Sequence, residues 1–233
     1  MDKITFLVEL NRRGISCNKD QLDLLWEFMH EVLETNKKFN LTAIKNEDAF
    51  VEKMIFDSAL LLNNQAFADQ EMVDIGAGAG FPSIVVSILS PNLHIIALDS
   101  TAKKIDFINS FAKKHNLNVT AINARAEEFA KDNRDKYLLV TARAVAHLRI
   151  LVELAMPMLK VGGHLVAMKG PDFEREIAES ENAFKKLGCD IHYVYEDILP
   201  ESNESRSFVY VRKLCPTSNK YPRTFGEIKN KPL

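Results

Sequence analysis

The sequence predicts an α/β domain built on a doubly wound, mostly parallel sheet, entered through an α-helical segment and closed by an antiparallel strand pair. Three observations carry this. From Glu71 onward, short β-branched runs alternate with helical runs, the pattern of a parallel sheet with crossover helices. The bend Gly76-Ala77-Gly78-Ala79-Gly80 joins the first strand-like run to the first helix-like one. The last two strand-like runs are separated only by Pro200-Glu201-Ser202-Asn203, and a link that short pairs strands antiparallel.

The helical segment comes first. Ile4, Leu7, Val8 and Leu10 recur at helical spacing, and Gly14 fits the position after the last turn. A second helix is expected from about Asp20 to Lys37, with Leu22, Leu25, Trp26, Met29, Val32 and Leu33 on one face and Asn18 or Asp20 as its cap. A third is expected from Glu47 to about Leu62. The expected strands are Met72 to Ile75, His94 to Leu98, Val119 to Ile122, Leu138 to Thr141 and His164 to Met168, then Ile191 to Tyr195 and Ser207 to Arg212. Between them, helices are expected over Ser83 to Leu89, Lys103 to Lys114, Ala126 to Phe129, Leu148 to Leu159 and Phe173 to Leu187. The reading divides the chain into a helical cap (1–66), a ligand-binding domain (67–214) and a basic tail (215–233).

Composition bounds the function. The 233 residues carry a net charge of −2, so the molecule as a whole is no polycation. Residues 212–233, however, hold six Lys/Arg against one Glu, which favours local contact with a polyanion or simply a solvated tail. Cys17, Cys189 and Cys215 lie far apart, implying no disulfide framework, and the histidines show no metal-site spacing. No apolar run has the length of a membrane span, and the N-terminus lacks a signal-peptide pattern. A cytoplasmic protein and a monomer are expected, with no membrane partner and no metal.

The glycine bend narrows the ligand. Neither register of it satisfies G-x-G-x-x-G, because Phe81 and Ser83 stand where the last glycine is required, and no Lys-Ser or Lys-Thr follows for a phosphate loop. An acid, Asp74, followed by Gly76, Gly78 and Gly80 resembles the first motif of class I S-adenosylmethionine-dependent methyltransferases, whose Rossmann-like sheet also ends in an antiparallel pair. In that reading Asp74 orients the loop and the methionine end of the cofactor, and the glycines let the ligand lie against bare backbone. Asp99, ending the second strand, suits a ribose diol, or else caps the next helix. Ala126 and Glu127, after the third strand, offer a backbone group and a side chain to adenine, and Glu127 equally suits helix-dipole pairing. Arg143 follows the fourth strand, where an acceptor would sit, and Lys169 opens on the same edge after the fifth. Arg143 also suits a structural ion pair with Asp74 or Asp99. No Asn/Asp-Pro-Pro-aromatic run of amino-group methyltransferases occurs there, nor a cysteine for cytosine-C5 chemistry.

Further signatures recur in order: Asn40-Leu41-Thr42-Ala43-Ile44, Asp57-Ser58, Lys103-Lys104-Ile105-Asp106-Phe107, Arg143-Ala144, Lys169-Gly170, Tyr221-Pro222-Arg223 and Lys231-Pro232-Leu233. With the glycine loop, they resemble the ribosomal small-subunit methyltransferase G family, also called glucose-inhibited division protein B, over nearly the whole chain. Met54 stands where that pattern has a histidine, and Ile228 where the tail usually has a proline.

The resemblance implies S-adenosylmethionine as cofactor and N7 methylation of a specific guanine in 16S rRNA, in the small subunit or an assembly intermediate. Carried over, cofactor contacts fall on Gly76, Phe81, Ala126, Glu127 and Arg143, with Asp99 at the ribose. RNA contact is expected from Arg212, Lys213, Lys220, Arg223, Lys229 and Lys231, helped by Lys103, Lys104 and Lys169. Two alternatives stay open at this point: an NAD(P)-dependent oxidoreductase, and a non-catalytic ribosome- or RNA-binding module.

Overall fold

In the computed structural model, which describes residues 1–44, 46–63 and 71–233, seven strands form one sheet with helices on both faces. The strands are β1 (Glu71–Ile75), β2 (His94–Asp99), β3 (Val119–Asn123), β4 (Tyr137–Arg143), β5 (Leu159–Lys169), β6 (Cys189–Ile198) and β7 (Ser205–Lys213), in the order β3-β2-β1-β4-β5-β7-β6. β1 to β5 run parallel, while β7 pairs antiparallel with both β5 and β6. The order reverses between β1 and β4, which opens a crevice at the carboxyl ends of these strands. All seven expected strands are present, and the late pair is antiparallel as expected. The expected boundary between 66 and 67 lies outside the described residues.

Helix Lys3–Arg12 ends with Gly14 at a φ of 70°, the left-handed geometry expected there. Asn18 caps helix Lys19–Asn36 in a reciprocal box with Gln21. The third helical run, 47–63, contains a wide turn at Val51–Phe56. With the second helix it packs Phe28, Phe50 and Phe56 into a core that covers one face of the sheet. A second core fills the other face, around Val73, Val140, Leu151, Leu165 and Val209.

Two expectations need correction. The helix expected to reach Leu159 stops at Ala155, since Pro157 cannot continue it, and Leu159 instead opens β5. The helix expected over Phe173 to Leu187 is two, Phe173–Ala178 and Glu181–Leu187. The Ser180 hydroxyl between them donates to the Glu176 carbonyl at 2.6 Å, competing with the helical ladder. The basic tail carries a helix that the sequence reading did not assign. Thr224 and Glu227 form a capping box on a helix, Phe225–Asn230.

Candidate functional site

β1 delivers Asp74 into the interior and the glycine loop to the carboxyl edge. Asp74 is fully buried; Ser83, the first residue of the following helix, donates its hydroxyl to one carboxylate oxygen at 2.5 Å. The other oxygen has no hydrogen-bond partner among the described residues. Burial pushes the acid up to about 7, against the Ser83 bond and the charge of Arg143. Asp99 holds the loop from β2: one carboxylate oxygen accepts from the Gly78 N–H at 3.0 Å, the other from the Thr101 N–H at 2.8 Å.

Two cavities open along this edge. One, of about 340 Å³, is lined by Gly76, Asp99, Thr101, Lys104, Ala124–Glu127 and, from the tail, Phe225. The other, of about 810 Å³, is lined by Lys53, Met54, Asp57, Arg143, Lys169 and Arg206, among others. Ala144 and Val145 line both. This partition is built tightly. Ala144 has a φ of 54°, unusual for a side-chain-bearing residue, and a Cβ on Gly76 would meet Val145 at 2.5 Å. Gly76 is thus required for close approach, and its own φ of 72° favours glycine as well.

The partition is also pinned behind. Lys169 donates to the Ala146 carbonyl at 2.7 Å and pairs with Glu176 at 2.7 Å, and Glu176 accepts from the Leu148 N–H at 2.6 Å. In the larger cavity Arg143 pairs with Asp57 at 3.3 Å, donates to the Lys53 carbonyl at 3.1 Å and lies 5.6 Å from the centre of the Phe81 ring. Its partner is therefore neither Asp74 nor Asp99, the two acids expected. Arg206 approaches the other Asp57 oxygen at 3.2 Å and reaches Glu204 at 2.9 Å. Burial raises the Asp57 pKa, and the two arginines oppose that.

The structure thus gathers Gly76, Asp99, Ala126 and Glu127 around one cavity, with Arg143 and Lys169 around its neighbour. Phe81 lines neither: it is 3% exposed and packs on Phe28 and Phe50 beneath Arg143. Gly78, Gly80 and Asp74 stand behind the lining as its support. Met54, where the pattern has a histidine, offers its sulfur to Arg143 at 3.3 Å, so this departure falls in the larger cavity. The sequence reading missed Lys53 and Arg206. The signal for Arg206 was topological: an antiparallel strand enters the sheet at the edge where the parallel strands end, so the start of β7 meets the site.

That direction corrects part of the basic-tail expectation. Lys169 pairs with Ser207 but His164 with Arg212, so Arg212 lies at the far edge, roughly 17 Å along the strand from the cavities. Lys213 is fully buried and donates to Asp135 at 2.6 Å and to the carbonyls of Met156 and Leu159 at 2.9 and 2.6 Å. Arg223 holds the buried carboxylate of Glu153 at 2.6 and 2.8 Å. These two cations are structural and unavailable to a polyanion. Lys220, Lys229 and Lys231 are exposed.

A sequence profile described as rRNA small subunit methyltransferase G matches residues 21–203. The chain belongs to that family. Two relatives called ribosomal RNA small subunit methyltransferase G are similar over most of their length. That of Lactobacillus johnsonii is 39% identical over 100% of both chains, and that of Caldicellulosiruptor bescii 41% identical over 90% of this chain and 91% of its own. Solved structures share the fold at low identity. TYW2 of M. jannaschii in complex with AdoMet superposes with a TM-score of 0.52 at 15% identity, over 64% of this chain and 72% of that one. TrmN from Thermus thermophilus gives 0.53 at 16%, over 68% and 48%. This methyltransferase G chain therefore carries the class I S-adenosylmethionine-dependent methyltransferase fold, and the dinucleotide oxidoreductase alternative falls.

The residues of the smaller cavity fit that cofactor. A bare-backbone loop, a strand-end acid and a small residue followed by Glu127 line a nucleoside-sized space. Among the described residues no helix is long and apolar enough to cross a membrane.

Proposed function

We propose that the chain catalyses methyl transfer from S-adenosylmethionine to N7 of a specific guanine in 16S rRNA, presented in the small subunit or an assembly intermediate. The observation that carries this is the pair of neighbouring cavities that share Ala144 and Val145 in their walls. One suits a nucleoside and the other, rimmed by Arg143, Arg206 and Lys53, suits an electron-rich acceptor. When bound, the cofactor supplies an electrophilic methyl group on a sulfonium.

What the chain must do follows from guanine chemistry. N7 carries an in-plane lone pair and no proton, so no general base is called for. The task is positioning: Asp99, Gly76, Ala126 and Glu127 fix the cofactor, and the acceptor cavity fixes the base with its N7 edge toward the partition. Guanine presents two acceptors on that edge, N7 and O6. The cations of the larger cavity match this edge, and donation to O6 leaves N7 free to attack. The base must leave its stack to enter. Lys220, Lys229 and Lys231, with Lys103, are the surface cations we assign to the RNA backbone; Lys104 instead lines the smaller cavity, 4.0 Å from Asp99.

The test is radiolabelled methyl transfer to small subunits from a strain lacking the enzyme, followed by mapping of the modified base. Label on guanine N7 is expected. Label on protein or on an exocyclic amine would refute the proposal, and no label on any subunit form would favour a non-catalytic ribosome-binding module.

A further inference from the structure

The tail has an ordered place in the fold. Arg134 donates to the carbonyls of Tyr221 and Thr217 at 2.5 and 2.8 Å, Arg223 grips Glu153, and Tyr221, Ile228 and Leu233 are buried in the second core. Against this anchoring, one large apolar side chain of the tail is left out: Phe225 is 36% exposed. It stands at the start of the last helix, lines the smaller cavity, and has the Arg125 guanidinium 4.9 Å from its ring centre.

Orientation within the cavity follows from its neighbour. The cavities meet at Ala144 and Val145, so the reacting end of a bound cofactor lies on that side. The nucleobase end then lies at the opposite side, by the residues after β3, Ala124 to Glu127. Arg125 is one of these, and it carries Phe225 with it. An exposed aromatic ring held by a cation at the base end of a nucleoside cavity is a stacking or edge-packing wall.

We infer that the C-terminal tail completes the cofactor site, with Phe225, held by Arg125, covering the adenine. This rests on the cofactor assignment above and gives the tail a task separate from RNA contact.

The test is calorimetric titration of the full chain and its Phe225→Ala variant with S-adenosylhomocysteine and with 5′-methylthioadenosine, which lacks the amino-acid end. Affinity should fall about tenfold in the variant, by the same factor for both ligands, and Phe225→Trp should restore it. Ligand-free thermal unfolding should be nearly unchanged. Should the alanine variant not fold, Phe225→Leu keeps the apolar bulk and should show a loss of about fivefold. Equal affinity of wild type and variant, or a loss confined to S-adenosylhomocysteine, would overturn the inference while leaving the cofactor assignment standing. Absence of any binding by the wild type would instead overturn the cofactor assignment.

Discussion

Arg143 and Asp57 face each other at 3.3 Å, joining the end of β4 to the helical segment that precedes the sheet. The Asp57 side chain is 8% exposed and that of Arg143 15%, so neither has much water to fall back on. Removing the arginine leaves a buried carboxylate with only Arg206 to neutralise it. Arg143→Ala should cost about 3 kcal/mol in thermal or denaturant unfolding and lower turnover at least tenfold. Adding Asp57→Asn should recover part of the stability and none of the turnover. A full recovery of turnover would show that Arg143 acts on the fold alone.

Asp99 ties the glycine loop to the turn after β2. Asp99→Ala removes the acceptor for both the Gly78 and Thr101 N–H groups. Each charge-assisted bond is worth about 1.5–3 kcal/mol. Cofactor affinity should fall about 10- to 100-fold by calorimetry, and undiminished binding would remove Asp99 from the ribose.

Asp74 makes stability depend on pH. Its pKa rises from the ordinary 3.8 to about 7 on folding, because burial disfavours the charge. The protonated form is thus favoured in the fold, and its contribution is complete at low pH and lost as pH rises through about 7. Asp74→Asn cannot ionise. Relative to wild type, the ligand-free variant should gain about 3 kcal/mol between pH 5 and pH 8, read as a diverging pair of melting curves. Parallel curves would mean that the carboxylate is already ionised at pH 5.

The basic residues of the tail separate into two kinds. Lys213→Met takes the ammonium from the buried carbonyls of Met156 and Leu159, and should destabilise by about 2 kcal/mol without changing the salt slope of RNA binding. Lys229→Ala with Lys231→Ala should leave unfolding unchanged and reduce that slope by about 1.5–2. An unchanged slope in the double variant would exclude these lysines from the RNA interface.

The smaller cavity was legible because its parts are local. Asp74 to Pro82 is one strand, one bend and one helix start, Asp99 closes β2, and Ala126–Glu127 open the helix that follows β3. The larger cavity was not. Asp57, Arg143 and Arg206 come from three distant segments, and a charge in a sequence does not announce its partner. Lys213 and Arg223 read as solvated tail cations because burial is a tertiary property. A hint was available for Arg223: Glu153 is a lone acid in the apolar run Ile150–Met158, which requires a cation from elsewhere. The tail helix had its own local sign in Thr224 and Glu227, three residues apart.

Val145 bears on inhibitor chemistry. Because the two cavities share Ala144 and Val145 in their walls, with the Val145 side chain seated against Gly76, one ligand designed across that wall tests how close they are. An adenosine joined through its 5′ position to a guanine by a linker of a few atoms would occupy both compartments at once. Its affinity would draw on two sites through an effective concentration rather than through any new contact. Lengthening that linker atom by atom would measure the thickness of the partition in solution.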